Sequence, residues 1–137
     1  AYGSIDTSDP EAVMALLLEY WFPRHFCTAP LPASMGDGLA KMNGAYSTHF
    51  IGPNLFEPSG EVMSWDRSNA LAALQLPVQV IFGAQDYLTL PDMEAMAQAL
   101  PNASLAVSEQ ASHSAWIEDP DFVRETLAEF FSDNGLA

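Results

Sequence analysis

Hydrophobic and polar positions alternate on two different plans along this chain. From Ser68 onward the apolar residues come in short blocks separated by turn residues. Val78-Gln79-Val80-Ile81-Phe82 is rich in β-branched side chains and stops at Gly83, which predicts a strand. Met93, Met96, Ala97 and Leu100 then recur at helical spacing behind Pro91, predicting a helix over 91–100. Ser104 to Val107 reads as a second, shorter strand. Phe122, Val123, Leu127 and Phe130 fall on one side of a final helix over 120–131. Strand, helix, strand, helix is the repeating unit of a parallel α/β sheet.

The first part, residues 1–66, has no strand-like alternation. Ser8-Asp9-Pro10-Glu11 combines a capping residue, an early proline and a glutamate that can return the capping bond, so a helix is expected from Pro10 to about Phe22. Pro23, Pro30 and Pro32 mark a break. A second helix is expected over Ala33 to Asn43, weakened by Gly36 and Gly38. Beyond Gly44 the chain reads as short pieces, with turns at Ile51-Gly52-Pro53-Asn54 and Pro58-Ser59-Gly60. The expected organisation is therefore a helical region over 1–66 and an α/β region over 67–137.

Two strands are too few for an open parallel sheet, which is buried on both faces and usually has several more. The remaining strands are expected from an upstream segment or from a second chain. A start at Ala1 rather than Met fits a processed chain or a fragment.

Composition narrows the choice of function. Hydrophobic residues make up 49% of the chain and are spread over its length, which excludes a disordered sequence. No apolar run approaches the roughly 18–20 residues of a membrane helix, and no basic segment followed by an apolar one marks a secretory leader. Cys27 stands alone, so an internal disulfide framework is excluded, and a cytoplasmic location is expected. Against 18 carboxylates stand 4 Lys and Arg, a field that repels nucleic-acid phosphates. No cofactor is expected. His25 and His49 join no cluster of ligand residues, so no metal site is expected either. Cys27 has His25 two positions away but no presenting turn, and reads as a small buried residue rather than a nucleophile.

Catalytic groups in parallel sheets sit at the carboxyl ends of the strands. Asp86 follows the first strand and His113 follows the second, so both loops should lie on one edge. Taken singly, Asp86 reads as a turn residue and His113 as a loop histidine bonded to backbone. Taken together, a carboxylate can hold one imidazole nitrogen and leave the other as a general base for activating a hydroxyl.

From about Gly3 to Phe131 the chain resembles the C-terminal half of the proline iminopeptidase branch of the α/β-hydrolases, which includes the tricorn-interacting aminopeptidase. The resemblance rests on Tyr20-Trp21-Phe22 followed by His25, on Met42-Asn43-Gly44, and on Gly52-Pro53-Asn54. It continues through Gly60, Trp65-Asp66, Leu76-Pro77-Val78, Gly83-Ala84-Gln85-Asp86 and Pro91, and ends with Ala111-Ser112-His113 and Glu118-Asp119-Pro120. It implies that Asp86 and His113 are the acid and base of a Ser–His–Asp triad, in the order that family uses. It also implies that residues 1–66 are part of a helical cap, and that the sheet's earlier strands, the oxyanion hole and the nucleophile elbow Gly-x-Ser-x-Gly are supplied by another segment. Gly3-Ser4 and Pro58-Ser59-Gly60 lack the flanking pattern and the preceding strand that such an elbow needs.

The chain departs from that branch at two positions. Its aminopeptidases hold the substrate ammonium with acidic residues, one after the Gly-Pro-Asn turn and one directly after the triad Asp. Here those positions are Leu55 and Tyr87. Neither can pair a buried ammonium, which is costly to leave unpaired. Glu57, two residues beyond Leu55, could substitute if the loop is shifted. A pocket for a neutral or apolar acyl group is therefore expected, lined by Leu55, Tyr87, Trp116, Phe50 and Met42, although each of these also reads as ordinary core packing. The expected function is hydrolysis of an ester or amide of a small molecule. The alternatives are a true aminopeptidase and a non-catalytic hydrolase-like binding module.

Overall fold

Two parallel strands form the centre of the α/β part of the computed structural model, which describes residues 9–41, 43–53 and 58–136. The first compact unit takes the chain up to Phe22 and from Leu31 to Asp66; the second takes Pro23–Pro30 and Arg67–Ala137. The division falls inside a helix, between Phe22 and Pro23.

In the first unit, α1 (Pro10–Leu16) opens after Asp9, whose Oδ1 accepts from the Ala12 N–H at 3.3 Å. Ser8, expected to cap this helix, lies outside the described residues. The chain continues directly into α2 (Leu17–Phe26), which has the wider i→i+5 winding and carries Pro23 within it. The helix thus runs past the expected stop at Phe22. A proline interrupts an ordinary helix because its ring meets the carbonyl four residues back. Wider winding moves that carbonyl aside.

Helix α3 (Ala33–Ala40) ends before the expected Asn43. Asn43 instead caps a helix that the sequence reading did not anticipate, α4 (Gly44–Phe50), its Oδ1 accepting from the Tyr46 N–H at 3.1 Å. Asparagine competes with the backbone inside helices and favours their N-termini, which explains both boundaries. Gly52 takes a φ of +114°, the conformation that glycine supplies in the expected turn. A single 3₁₀ turn follows at Glu61–Ser64. His49 Nε2 and Glu61 Oε1 meet at 3.1 Å on the surface of this unit.

In the second unit, α5 (Ser68–Leu71) precedes β1 (Val78–Gly83). Helix α6 (Leu90–Ala99) connects β1 to β2 (Ala103–Ser108), and the strands pair in parallel from Val78↔Ala103 to Gly83↔Ser108. Thr89 caps α6, accepting from the Asp92 N–H while its own hydroxyl donates to Asp92 Oδ2 at 2.5 Å. After β2 come the short α7 (Ala115–Glu118) and the long α8 (Pro120–Asp133). Helices flank a parallel strand pair, the α/β arrangement expected from the sequence.

The core of this unit is small. Val80, Phe82, Leu100, Ala111, Ala115 and Cys27 are buried, together with Ser108, Ser112 and Ser114. Parallel strands are normally covered on both faces. Here Val78, Ile81, Leu105 and Val107 stay half-buried, and neither α6 nor α8 has a fully buried residue. Among the described residues no helix is long and apolar enough to cross a membrane.

Candidate active site

Asp86 sits in the turn leaving β1, and His113 in the loop between β2 and α7. The two segments are stitched together by backbone bonds. The Ala84 N–H donates to the Ser108 carbonyl at 2.8 Å, and the Gln85 N–H to the Ala111 carbonyl at 3.0 Å. The Asp86 N–H closes its own turn onto the Gly83 carbonyl at 3.0 Å. Parallel pairing places both strand ends on one edge, so the loops need only a few residues to meet.

The side chains meet as a pair. His113 Nδ1 lies 3.0 Å from Asp86 Oδ2, with Asp86 only 5% exposed and His113 28% exposed. Asp86 Oδ1 also accepts the Leu88 N–H at 3.0 Å, which fixes the carboxylate plane. An ionised carboxylate can only accept, so Nδ1 carries the proton and Nε2 keeps the lone pair. That is the tautomer a general base requires.

Two rings flank the imidazole. The Phe26 centroid lies 5.1 Å from that of His113, and the Tyr87 centroid 4.8 Å away, both tilted by nearly 40°. Burial, and then the nearby Asp86 carboxylate, push the Tyr87 hydroxyl above its ordinary value, so it stays neutral. Among the expected pocket residues that the structure describes in this unit, Tyr87 packs against His113. Trp116, on α7, is 54% exposed. Phe50 belongs to the first unit, where its ring stacks on Tyr46 with centroids 6.1 Å apart. Met42, Leu55 and Glu57 lie outside the described residues, as does Gly3-Ser4. Ser59 is exposed in the first unit, its N–H donating to the Ile51 carbonyl at 2.9 Å.

A second layer supports the pair, and the sequence reading did not find it. Glu118 Oε1 accepts from the N–H and the hydroxyl of Thr28, each at 2.6 Å. Glu118 Oε2 accepts from the N–H of Ser112 at 2.8 Å and from its hydroxyl at 2.6 Å. Burial acts to raise this carboxyl, but the bonds from Ser112 and Thr28 outweigh it and hold the group below its ordinary value. Next along the chain, Asp119 Oδ2 accepts from the Ser108 hydroxyl at 2.7 Å. The loop carrying His113 is thus tied down at the end of β2 and again just before the histidine. Glu118-Asp119 stood in the sequence only as part of a familiar pattern, with nothing to name its partners.

Cys27 is buried, with its Sγ 3.4 Å from the Ala29 carbonyl oxygen. Burial pushes its thiol up, opposite to the activation that a nucleophile needs. Among the described residues no three His, Cys, Asp or Glu side chains gather as metal ligands.

No family model matches the chain. It is 26% identical over 137 residues to a proline iminopeptidase of Thermoplasma volcanium, covering 97% of this chain and 45% of that protein. It is 28% identical over 127 residues to a protein of Pseudomonas savastanoi pv. phaseolicola provisionally named as the carbamate hydrolase RutD, covering 91% of this chain and 47% of that protein. The crystal structure of the proline iminopeptidase of Mycobacterium smegmatis superposes with a TM-score of 0.76 at 26% identity, over 92% of this chain and 42% of that one. That of VinJ superposes with a TM-score of 0.79 at 23% identity, over 93% of this chain and 43% of that one. The chain spans less than half the length of each of these proteins. In fold the chain is the C-terminal portion of an α/β-hydrolase, and in sequence it is similar to proline iminopeptidases and to a hydrolase of another substrate class.

Proposed function

We propose that this chain supplies the acid and the base of a serine hydrolase acting on an ester or amide of a neutral or apolar acyl group. The single observation that carries the reading is the 3.0 Å bond between a nearly buried Asp86 carboxylate and His113 Nδ1, at the carboxyl edge of a parallel strand pair. The nucleophilic serine would come from another segment of the same hydrolase or from a second chain. That source would also complete the sheet. The half-buried strands and the lack of fully buried residues on α6 and α8 support this, because a covering segment would remove that apolar surface from water. Residues 1–66 would form part of a helical cap.

In the mechanism, His113 Nε2 takes the proton of the serine hydroxyl as its oxygen attacks the acyl carbon. Asp86 stays ionised and stabilises the imidazolium. The imidazolium then returns the proton to the leaving alcohol or amine, leaving an acyl-enzyme. Water repeats the sequence, with Nε2 again taking the proton, and releases the acid.

Preference for a neutral group is supported by Tyr87, whose uncharged ring stands beside the imidazole. The likeness to a protein named as a carbamate hydrolase points the same way. A second reading, a true aminopeptidase, is favoured by the likeness to proline iminopeptidases and would need Glu57 or a carboxylate from elsewhere to hold the ammonium. The test is intact-mass spectrometry of the natively purified protein after treatment with a fluorophosphonate probe, followed by a comparison of substrates. Labelling of a serine-bearing polypeptide that co-purifies with this chain is the expected result. Preferential turnover of free-amine arylamides over simple acyl esters would replace the first reading by the second. Absence of any probe-reactive serine would remove both.

A further inference from the structure

Four donors converge on Glu118 from two segments far apart in sequence. Thr28 lies 90 positions from Glu118, and Ser112 six. Each carboxylate oxygen takes one backbone N–H and one hydroxyl. Both segments lead directly to groups that touch the imidazole. Ser112 immediately precedes His113, and Thr28 follows Phe26-Cys27, whose Phe26 ring packs on the His113 ring. The clamp therefore spans the base. One arm fixes the backbone from which His113 projects, and the other fixes the strand of chain that presents the ring on its face.

The chemistry is specific to a glutamate. A glutamine offers one acceptor oxygen and an NH₂ group, so one of the two backbone N–H groups would face a donor. An aspartate is one methylene shorter and cannot reach both segments from the end of α7. The hydroxyls of Ser112 and Thr28 can rotate to suit either change, but the backbone N–H groups cannot.

We infer that Glu118 is a positioning residue for the base, holding the His113 loop and the Phe26 segment in the one arrangement in which Nδ1 meets Asp86. Its effect on turnover rests on the hydrolase reading above; its effect on the Asp86–His113 bond does not. Bonds to a charged acceptor are the strong kind, so the clamp restricts the ring more than packing against Phe26 and Tyr87 alone would. A misplacement of the base on the scale of 1 Å costs on the order of 100-fold in rate.

The test uses the complete hydrolase, assembled with its serine-bearing segment, as Glu118→Gln, Glu118→Ala and the milder Ser112→Ala. Two quantities are read: kcat and KM on an acyl ester, and the NMR signal of the His113 Nδ1 proton, which reports the bond to Asp86 without any need for turnover. The expected result is a kcat lowered about 10- to 100-fold in Glu118→Ala, with KM changed by less than about twofold. Glu118→Gln and Ser112→Ala should fall between that variant and the unsubstituted protein. The Nδ1 proton signal should broaden or vanish in the same order. If Glu118→Gln and Ser112→Ala keep the original kcat and the original signal, and change only the melting temperature, Glu118 is a stabilising residue alone and the inference is overturned. Should the unsubstituted protein show no turnover, the hydrolase reading fails, and the Nδ1 signal still decides: its loss in Glu118→Gln supports the clamp, and its persistence refutes it.

Discussion

Gly83 lies so close beneath the histidine loop that a Cβ at its position would come within 2.1 Å of the Ser112 carbonyl oxygen. It would also meet the Ala111 carbonyl oxygen at 2.5 Å. Both obstacles are backbone, which cannot swing aside as a side-chain tip can. Glycine here is a matter of space, because it lets the end of β1 and the loop carrying His113 touch closely enough for Asp86 to reach the imidazole.

Gly83→Ala should therefore do two things at once. Overpacking against fixed backbone typically costs about 1–3 kcal/mol, to be read as a lower denaturant midpoint. The displaced loop should also weaken the Asp86–His113 bond, so the surviving folded protein should lose activity. A Gly83→Ala protein with an unchanged midpoint would mean that the loop is free to move away.

Replacing the acid tests the pair directly. Asp86→Asn keeps the shape of the side chain but can present an NH₂ group to Nδ1, favouring the wrong tautomer. In a Ser–His–Asp triad such a change costs roughly 10⁴-fold in kcat, and the same order is expected here on an acyl ester. His113→Ala should reduce turnover at least as far. If either variant retained full activity, the base would have to be another group.

Acid should release the Glu118 clamp. Against the effect of burial, the bonds from Ser112 and Thr28 hold the folded-state carboxyl below its ordinary value, so folding favours the ionised carboxylate. The resulting stability is fully present above the unfolded-state value and is lost as pH falls through the folded-state one. Urea midpoints of the unsubstituted protein and Glu118→Gln, followed from neutral pH downward, should differ most near neutrality and converge in acid. A gap that stays constant with pH would show that the charge contributes nothing to it.

Cys27 should be slow to alkylate. The side chain is 3% exposed, and burial raises its thiol, so the reactive thiolate is scarce and poorly reached. Iodoacetamide at mildly alkaline pH should label it slowly in native buffer and rapidly in urea, as followed by intact mass. Fast native labelling would place Cys27 in a segment that opens locally.

Much of the α/β part was legible in the pattern of residues. The strand over Val78–Phe82 and the helix behind Pro91 lie within a residue or so of the observed β1 and α6. Periodicity and turn residues are local properties, and these elements obey them. Elements that were missed or misplaced depended on something else. The helix α2 passes Pro23 because its winding changes, and winding has no signature in composition. The helix α4 is short and begins on Gly44, so it carries too few apolar positions to show a period, and Asn43 is as common in turns as in caps.

The site divides along the same line. Asp86 and His113 were visible as a candidate pair because strand ends can be counted along the chain, and parallel strands bring successive ends to one edge. Their 3.0 Å bond, the flanking rings of Phe26 and Tyr87, the lack of room at Gly83 and the four donors on Glu118 all came from the folded arrangement. Thr28 and Glu118 are polar residues of ordinary kind in their own neighbourhoods. Their bond exists only after 90 positions of chain have been folded back. Spacing along a sequence encodes which way a side chain faces within its own element. It does not encode which distant backbone N–H will arrive opposite a given carboxylate, because that is settled by how the elements pack.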